Sequence, residues 1–585
     1  MGAKAAPRIA AASLMRRFLW TVAAGTLGQS GAAVAFPLVD PTNVGSLAGA
    51  SDLAGPDAQD LTHQLQIANG LPGLASAGGW TFVPRLGFQE SLTDNVMQVH
   101  SPMRWDLTTA FSPGITIAGN TQRAQVRLDY APVLIMNART GSQNALNQQL
   151  NGTATVTAIS DLAFVDLRAL AGVQSTRGAA GGYGTIGAGD AGGLTAGSMS
   201  GFGATTGVGA NKENTVQTTS VSISPYLLHK FGDYGTAKLG YSLNLSQNSP
   251  TTGVQFLPFP AGGGNSQKLM TTEQTVEFKS GDFLNDFQDT LDVDMSQSTS
   301  TNQIGSITTF GTVATAPTSL RSSRQIVTNA LNYALNRKVT LTVSIGHENI
   351  VYTGSNATSI NDMTWSFGGT YNPNQNSSIT VSYGHLQGAD ALSFSGHYQL
   401  TARTAITGSY SDTLGTQLEN LQRQLNQGVV GANGSLVNAQ TGGQLFGSTN
   451  ATPIQPGVFH FKTLTATATT QLNRDTLSLT LNMSNQVSTG GSSVTLGSSQ
   501  TNGIIMQWTH DLRPDLRLST SASYNILTGG IGGGSQSIAF NSSLIYTISE
   551  TLSASARYSF FKSTSSSALL SLYEDILVVG ITKLF

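Results

Sequence analysis

Few groups in this chain are suited to chemistry: eight histidines and 31 aspartates and glutamates among 585 residues, and no cysteine. Hydrolysis through a side-chain nucleophile needs a Ser or Cys beside a His, with a carboxylate to hold that His. His63, His100, His229, His347, His385, His397, His460 and His510 come with no G-x-S-x-G elbow and no H-E-x-x-H pair. His385 and His397 fall on adjacent predicted strands where they can approach one another, and no carboxylate is expected to orient either. Gly182-Tyr183-Gly184-Thr185-Ile186-Gly187 and Gly187-Ala188-Gly189-Asp190-Ala191-Gly192 both satisfy G-x-G-x-x-G. A dinucleotide site needs that motif between a strand and a helix, whereas both matches sit in a glycine-rich loop. Without cysteine there are no disulfides and no thiolate metal sites. The expectation is a chain that is not an enzyme, with no catalytic residue, cofactor or metal.

A second set of groups suggests a lining. Arg123, Arg127 and Asp129 share the polar face of one predicted strand, and Asp166 and Arg168 that of another. Glu277 and Lys279 face the same way on a third, and Asp292 and Asp294 on the next. Inside a barrel such residues make a hydrated, ion-paired wall; as rings they would filter solutes by charge. The mixed signs argue against strong ion preference.

The elements that must position these groups follow from period-two patterning. Leu477, Leu479, Leu481 and Met483 alternate with Thr, Ser and Asn, and Val339, Leu341, Val343 and Ile345 alternate with Thr and Ser. On a strand, alternate side chains face opposite sides, so each segment has one apolar and one polar face. Helical spacing occurs only at Leu418, Leu421 and Leu425 and at Leu61, Leu65 and Ile67. Charged residues make up 10% of the chain, against roughly 25% in soluble domains. Gly, Ser, Thr, Asn and Gln take their place, and mean hydropathy is −0.03. No run approaches the ~18 apolar residues of a membrane helix, and a net charge of −2 excludes a nucleic-acid surface.

Tight turns at Ser160, Gly232, Arg337, Ala402, Arg474, Asp511 to Pro514 and Glu550 alternate with long connections. The long ones are 172–215, 247–268, 299–320, 412–457 and 487–500. A meander with turns at one end and loops at the other is the pattern of transmembrane barrels. The expected fold is therefore all-β: an antiparallel up-and-down transmembrane barrel of about 22 strands, within a range of 18 to 24, with long extracellular loops. Splitting 145–174 into a hairpin at Ser160 makes the count even. A sandwich of this size would need several domains with linkers, and a solenoid would need a fixed repeat; neither is visible. Residues 1–35 read as a signal peptide: Lys4, Arg8, Arg16 and Arg17, then the apolar stretch 18–27, then Ala33-Val34-Ala35. Residues 36–79 are expected to be a periplasmic or plug segment and 80–585 the barrel. The chain ends on Leu577, Val579, Ile581 and Phe585 at alternate positions. Phe585 thus matches the terminal signal that barrel-insertion machinery reads, although Lys583 breaks the apolar series. Bacterial outer-membrane lipid and that machinery are the expected partners, with both termini periplasmic.

The order of short motifs resembles a family of outer-membrane β-barrels associated with the PEP-CTERM/exosortase system and exopolysaccharide loci. The pieces are 84–95 (Pro-Arg-Leu-Gly-Phe-Gln-Glu-Ser-Leu-Thr-Asp-Asn), 112–115 (Ser-Pro-Gly-Ile), 128–130 (Leu-Asp-Tyr) and 146–150 (Leu-Asn-Gln-Gln-Leu). Further along come 365–368 (Trp-Ser-Phe-Gly), 382–384 (Ser-Tyr-Gly) and 410–412 (Tyr-Ser-Asp). The resemblance implies a location and an architecture rather than a reaction. It makes the expected role a pore or scaffold for export or surface organisation of exopolysaccharide. The alternatives are a general diffusion porin and a structural or adhesive surface protein with a filled lumen.

Overall fold

The structure is a computed structural model that describes residues 76–77, 79–175, 215–250, 267–284, 286–302, 318–353, 357–430, 436–438, 457–489, 498–529, 534–565 and 571–585. The signal peptide, nearly all of 36–79 (including Leu61, Leu65 and Ile67) and the glycine motifs of 182–192 lie outside the described residues.

Twenty-two strands close into one antiparallel barrel. They are β1 (Trp80–Thr93), β2 (Asp106–Asn120), β3 (Ala124–Tyr130, resumed at Val133–Asn137) and β4 (Ala145–Asn147, resumed at Leu150–Ile159). Next come β5 (Ala163–Ser175), β6 (Thr215–Lys230), β7 (Gly235–Pro250), β8 (Gln267–Ser280), β9 (Phe287–Asn302) and β10 (Thr318–Asn336). β11 (Val339–Thr353), β12 (Thr358–Asn374), β13 (Ser377–Leu386), β14 (Ala389–Thr401) and β15 (Thr404–Gly415) follow. After helix α1 (Gln417–Gln427) the barrel resumes with β16 (Phe459–Gln471), β17 (Asp475–Ser488), β18 (Ser499–Arg513) and β19 (Leu516–Gly529). It ends with β20 (Ser535–Ser549), β21 (Leu552–Ser565) and β22 (Leu572–Leu584). The hairpin at Ser160 is the β4–β5 turn. Pro132, which has no N–H to donate, lies at the break in β3.

Short connections gather at the end where β1 begins, the turn end, and the longer ones at the other, the loop end. Side chains that mimic backbone acceptors build several of the turns. Asn336 Oδ1 accepts from the amides of Lys338 and Val339, and Asn374 Oδ1 from that of Asn376. The loop end has one two-residue connection, Gln387-Gly388, with φ of 56° and 71°. Two successive positive φ values suit the twist of a tight hairpin, and Gly takes the second without strain.

β1 and β22 close the barrel in register from Arg85↔Leu584 to Thr93↔Ile576. At the loop end Asp94 N–H donates to Asp575 O (3.2 Å), and Asp575 N–H to Asp94 Oδ1 (2.9 Å). At the turn end Phe585 N–H donates to Pro84 O (2.9 Å). Closure leaves no unpaired strand edge, the condition for crossing lipid. The outer face is apolar and uncovered: Leu239, Ile345, Phe367 and Met506 are more than half exposed. Phe287, Tyr333, Tyr371, Trp508 and Tyr546 ring its turn end, where aromatics favour a membrane–water interface. Lys583 shares the outward parity of Leu577, Val579 and Ile581, and its ammonium reaches Thr551 Oγ1 in the last turn (2.7 Å). A lysine is tolerated there because its charged end lies at the interface.

Candidate functional site

The inner face is polar and largely buried. Thr480, Asn482, Ser484 and Gln486 line it on β17, Ser499 and Thr501 on β18, and Ser519, Ser521, Ser523 and Asn525 on β19. A departure occurs along β20 to β22, where Ala539, Phe561, Leu572, Ile576 and Val578 form an apolar cluster. Over 576–579 β22 is thus apolar on both faces, a pattern that alternation alone does not anticipate.

Arg127 and Asp129 lie on β3, Asp166 and Arg168 on β5, Glu277 and Lys279 on β8, and Asp292 and Asp294 on β9. The inward parity of Asp166 and Arg168 follows from exposed Leu167 between them, and that of Glu277 from Val276 and Phe278. Glu277 pairs with Asp292 in the ladder. Asp166, Arg168, Glu277, Lys279, Asp292 and Asp294 therefore fall on one contiguous wall, β5 to β9. Asp129 stands apart, gripped at both carboxylate oxygens by Arg85 (2.6 and 2.6 Å) and by the Thr116 hydroxyl (2.7 Å). Arg85 is 5% exposed and passes over Gly114, where a Cβ would lie 2.8 Å from its Nε. Arg123 does not belong to the lining. β2 ends at Asn120 and β3 begins at Ala124, so Arg123 occupies the intervening turn and is exposed. There Thr121 N–H donates to Ala124 O (2.9 Å).

Helix α1 is the element that alternation does not foresee. Its amino end is a capping box: Glu419 N–H donates to Thr416 Oγ1 (3.1 Å) and Thr416 N–H to Glu419 Oε2 (2.8 Å). Glu419 also accepts from Ser322 on β10 (2.7 Å) and Tyr352 on β11 (3.3 Å). Gln422 accepts from Thr271 on β8 (3.0 Å), and Gln417 donates to Gln486 on β17 (2.8 Å). All four wall residues face inward. β8 and β17 lie far apart around the barrel, so α1 crosses the lumen just inside the loop end. Leu414 before it and Val458, the last residue of the 416–458 connection, pack with Ile350 and Tyr352, all at most 1% exposed. Both roots of the connection are thereby stapled to the wall. Burial, and Arg324 beside it, hold the Arg423 guanidinium below its ordinary pKa; Arg423 donates to Leu414 O (3.2 Å).

The histidine pair is not assembled. In the β13–β14 ladder His385 lies opposite Asp390 and His397 opposite Ser378, near the other end. His385 Nδ1 is 3.0 Å from Asp390 Oδ1, so a carboxylate does orient it: five residues of hairpin bring the two face to face. His460 meets Asp412 (3.4 Å), and His510 meets Asp475 (2.7 Å). Among the described residues no group of three or more His, Asp or Glu is placed to hold a metal ion.

No protein-family model and no curated protein sequence matches this chain. Among solved structures, the iron transporter FrpB of Neisseria meningitidis (F5-1 variant, apoprotein form) is similar with a TM-score of 0.50. Its identity is 10%, over 89% of this chain and 83% of that one. The ferric-catecholate import receptor Fiu of E. coli K12, open form, gives 0.48 at 9% identity over 86% and 81%. The siderophore receptor PirA of Acinetobacter baumannii gives 0.45 at 11% over 86% and 80%. The likeness to FrpB is one of fold. Together with the closed edges, apolar outer face and aromatic ring, it makes this chain a transmembrane barrel of the outer-membrane type.

Proposed function

We propose that this protein is a gated outer-membrane conduit with its turn end and both termini in the periplasm. It would serve the export or surface organisation of a hydroxyl-rich polymer of the exopolysaccharide class. The observation that carries this reading is α1, hydrogen-bonded across a lumen lined by Ser, Thr, Asn and Gln. Such a wall exchanges hydrogen bonds with a sugar polymer at little net gain, about 1 kcal/mol or less per bond, because each replaces one to water. The polymer is held loosely and moves on. The resemblance to exopolysaccharide-associated barrels favours the same cargo, and no reaction is assigned to the protein.

Conductance in planar bilayers tests the reading. The intact protein should be closed or nearly so, and removing 36–79 or releasing α1 should raise the current. A large, steady current through the intact protein would make it a diffusion porin; closure that survives both changes would make it a filled, structural barrel. For orientation, epitope tags at Gly193 and Ala432 should be reachable on intact cells and one at Arg474 should not. Surface labelling at Arg474 would reverse the assignment of the two ends.

A further inference from the structure

At the turn end of the β5–β9 wall, two rings share the inward face. Phe164 lies opposite Tyr226 in the β5–β6 ladder. Their centroids are 5.2 Å apart and their planes 19° from parallel. The inward parity of both follows from their neighbours, since Leu167, Ile223 and Leu227 are exposed on the outer face. Lys238 on β7 sets its ammonium 5.0 Å from the centroid of the Tyr226 ring. Two residues along from Phe164, Asp166 accepts a hydrogen bond from Thr155 (2.8 Å). In the ladders Ser224 is opposite Asp166 and Glu277 is opposite Lys238. Phe164 and Tyr226 are half-buried.

We propose that Phe164, Tyr226, Lys238 and Asp166 form a sugar-binding platform at the periplasmic mouth of the lumen, met by a glycan before it reaches α1. The inference rests on the conduit reading and names where that conduit holds its cargo. A cross-strand aromatic pair stabilises a sheet through ring contact alone, but that purpose requires no charged groups around it. A pyranose ring has an apolar C–H face and a rim of hydroxyls. The half-buried rings, with an ammonium over Tyr226 and the carboxylate of Asp166 and the hydroxyl of Ser224 at the next inward positions of the same strands, match both parts. Among the described residues the other inward rings, Tyr352, Phe459, Phe461 and Phe561, are at most 2% exposed, whereas Phe164 and Tyr226 are only half-buried, so a sugar would dwell longest here. An acyl chain would gain the rings but would desolvate Lys238 and Asp166 without repayment. A flat aromatic solute would gain the rings while leaving the polar border unused.

The test uses the full-length protein purified in detergent, with maltohexaose, cellohexaose and catechol as probes, and saturation-transfer NMR and calorimetry as readouts. Wild type should bind at least one hexasaccharide, with transfer strongest at its C–H protons. Exchanging both Phe164→Leu and Tyr226→Leu keeps the bulk and removes the rings; it should weaken binding at least tenfold while the heat-modifiable fold is retained. Tyr226→Phe keeps the ring and should bind within threefold of wild type. Equal hexasaccharide binding by wild type and the double variant would overturn the platform and leave the conduit standing. So would catechol binding without hexasaccharide binding, provided release of α1 still raises conductance. If no hexasaccharide binds and conductance does not rise, both readings fall.

Discussion

Replacing Glu419 by Ala should unlatch the crossbar. The carboxylate holds Ser322 Oγ at 2.7 Å and Tyr352 OH at 3.3 Å, and caps the Thr416 amide at 2.8 Å. Hydrogen bonds to a charged group contribute about 1.5–3 kcal/mol each, so the short bond and the long one together hold α1 to β10 and β11 by about 3 kcal/mol. Losing the cap weakens the first turn by about 1 kcal/mol more. The remaining ties, Gln422 to Thr271 and Gln417 to Gln486, are neutral bonds of about 1 kcal/mol each. A loss of about 4 kcal/mol shifts the docked-to-released ratio by a factor of about 10³. The substitution also removes an anion that Arg324 and Arg423 share, which pushes the same way. Single-channel recording reads the effect directly: rare or absent openings in wild type should become frequent in Glu419→Ala. Glu419→Gln keeps an acceptor for Ser322 and should fall between the two. Glu419→Ala protein with the heat-modifiable fold and unaltered traces would refute the crossbar as the closing element.

Asp129→Asn leaves Arg85 buried without its counter-charge. Breaking a buried pair costs about 3–5 kcal/mol, and the low end applies because the Asp129 side chain is 32% exposed. The temperature at which the heat-modifiable band unfolds should drop; an unchanged temperature would show that Thr116 alone suffices. At the loop-end rim, burial, reinforced by the charge of Asp575, pushes Asp94 up to about 6, against the pull of the Asp575 amide. A carboxyl whose folded pKa is raised adds stability that is complete below the unfolded value near 4 and is lost as pH rises through about 6. Proteolysis at the β1–β22 seam should therefore increase from pH 4 to pH 7 in wild type, and Asp94→Asn should flatten that rise; a rise that persists in the variant would place the titration elsewhere. Deleting Phe585, which is 62% exposed and hydrogen-bonded to Pro84, should cut the amount of assembled barrel in the membrane fraction. Undiminished assembly would remove its role as the insertion signal.

Much of this architecture was legible in the sequence because it depends on neighbours along the chain. Alternation at Leu477–Met483 or Val339–Ile345 follows from strand geometry alone, and Asn336 and Asn374 close turns with their own side chains. The even count of 22 followed from the spacing of such turns. Local signals also held the capping box Thr416-x-x-Glu419 ahead of Leu421 and Leu425, so that a helix was readable there. Its place was not, because nothing local tells a helix in a loop that Ser322, Tyr352, Thr271 and Gln486 will be its partners. Those four lie on β10, β11, β8 and β17, and only closure of the sheet brings them around one lumen. Register decided the rest. It set His385 against Asp390 rather than near His397, ended β2 early enough to leave Arg123 in a turn, and laid Phe164 against Tyr226. Side-chain direction has a period of two residues and is written in the chain. Which residue lies opposite which depends on the offset between strands, a quantity that exists only once they have paired.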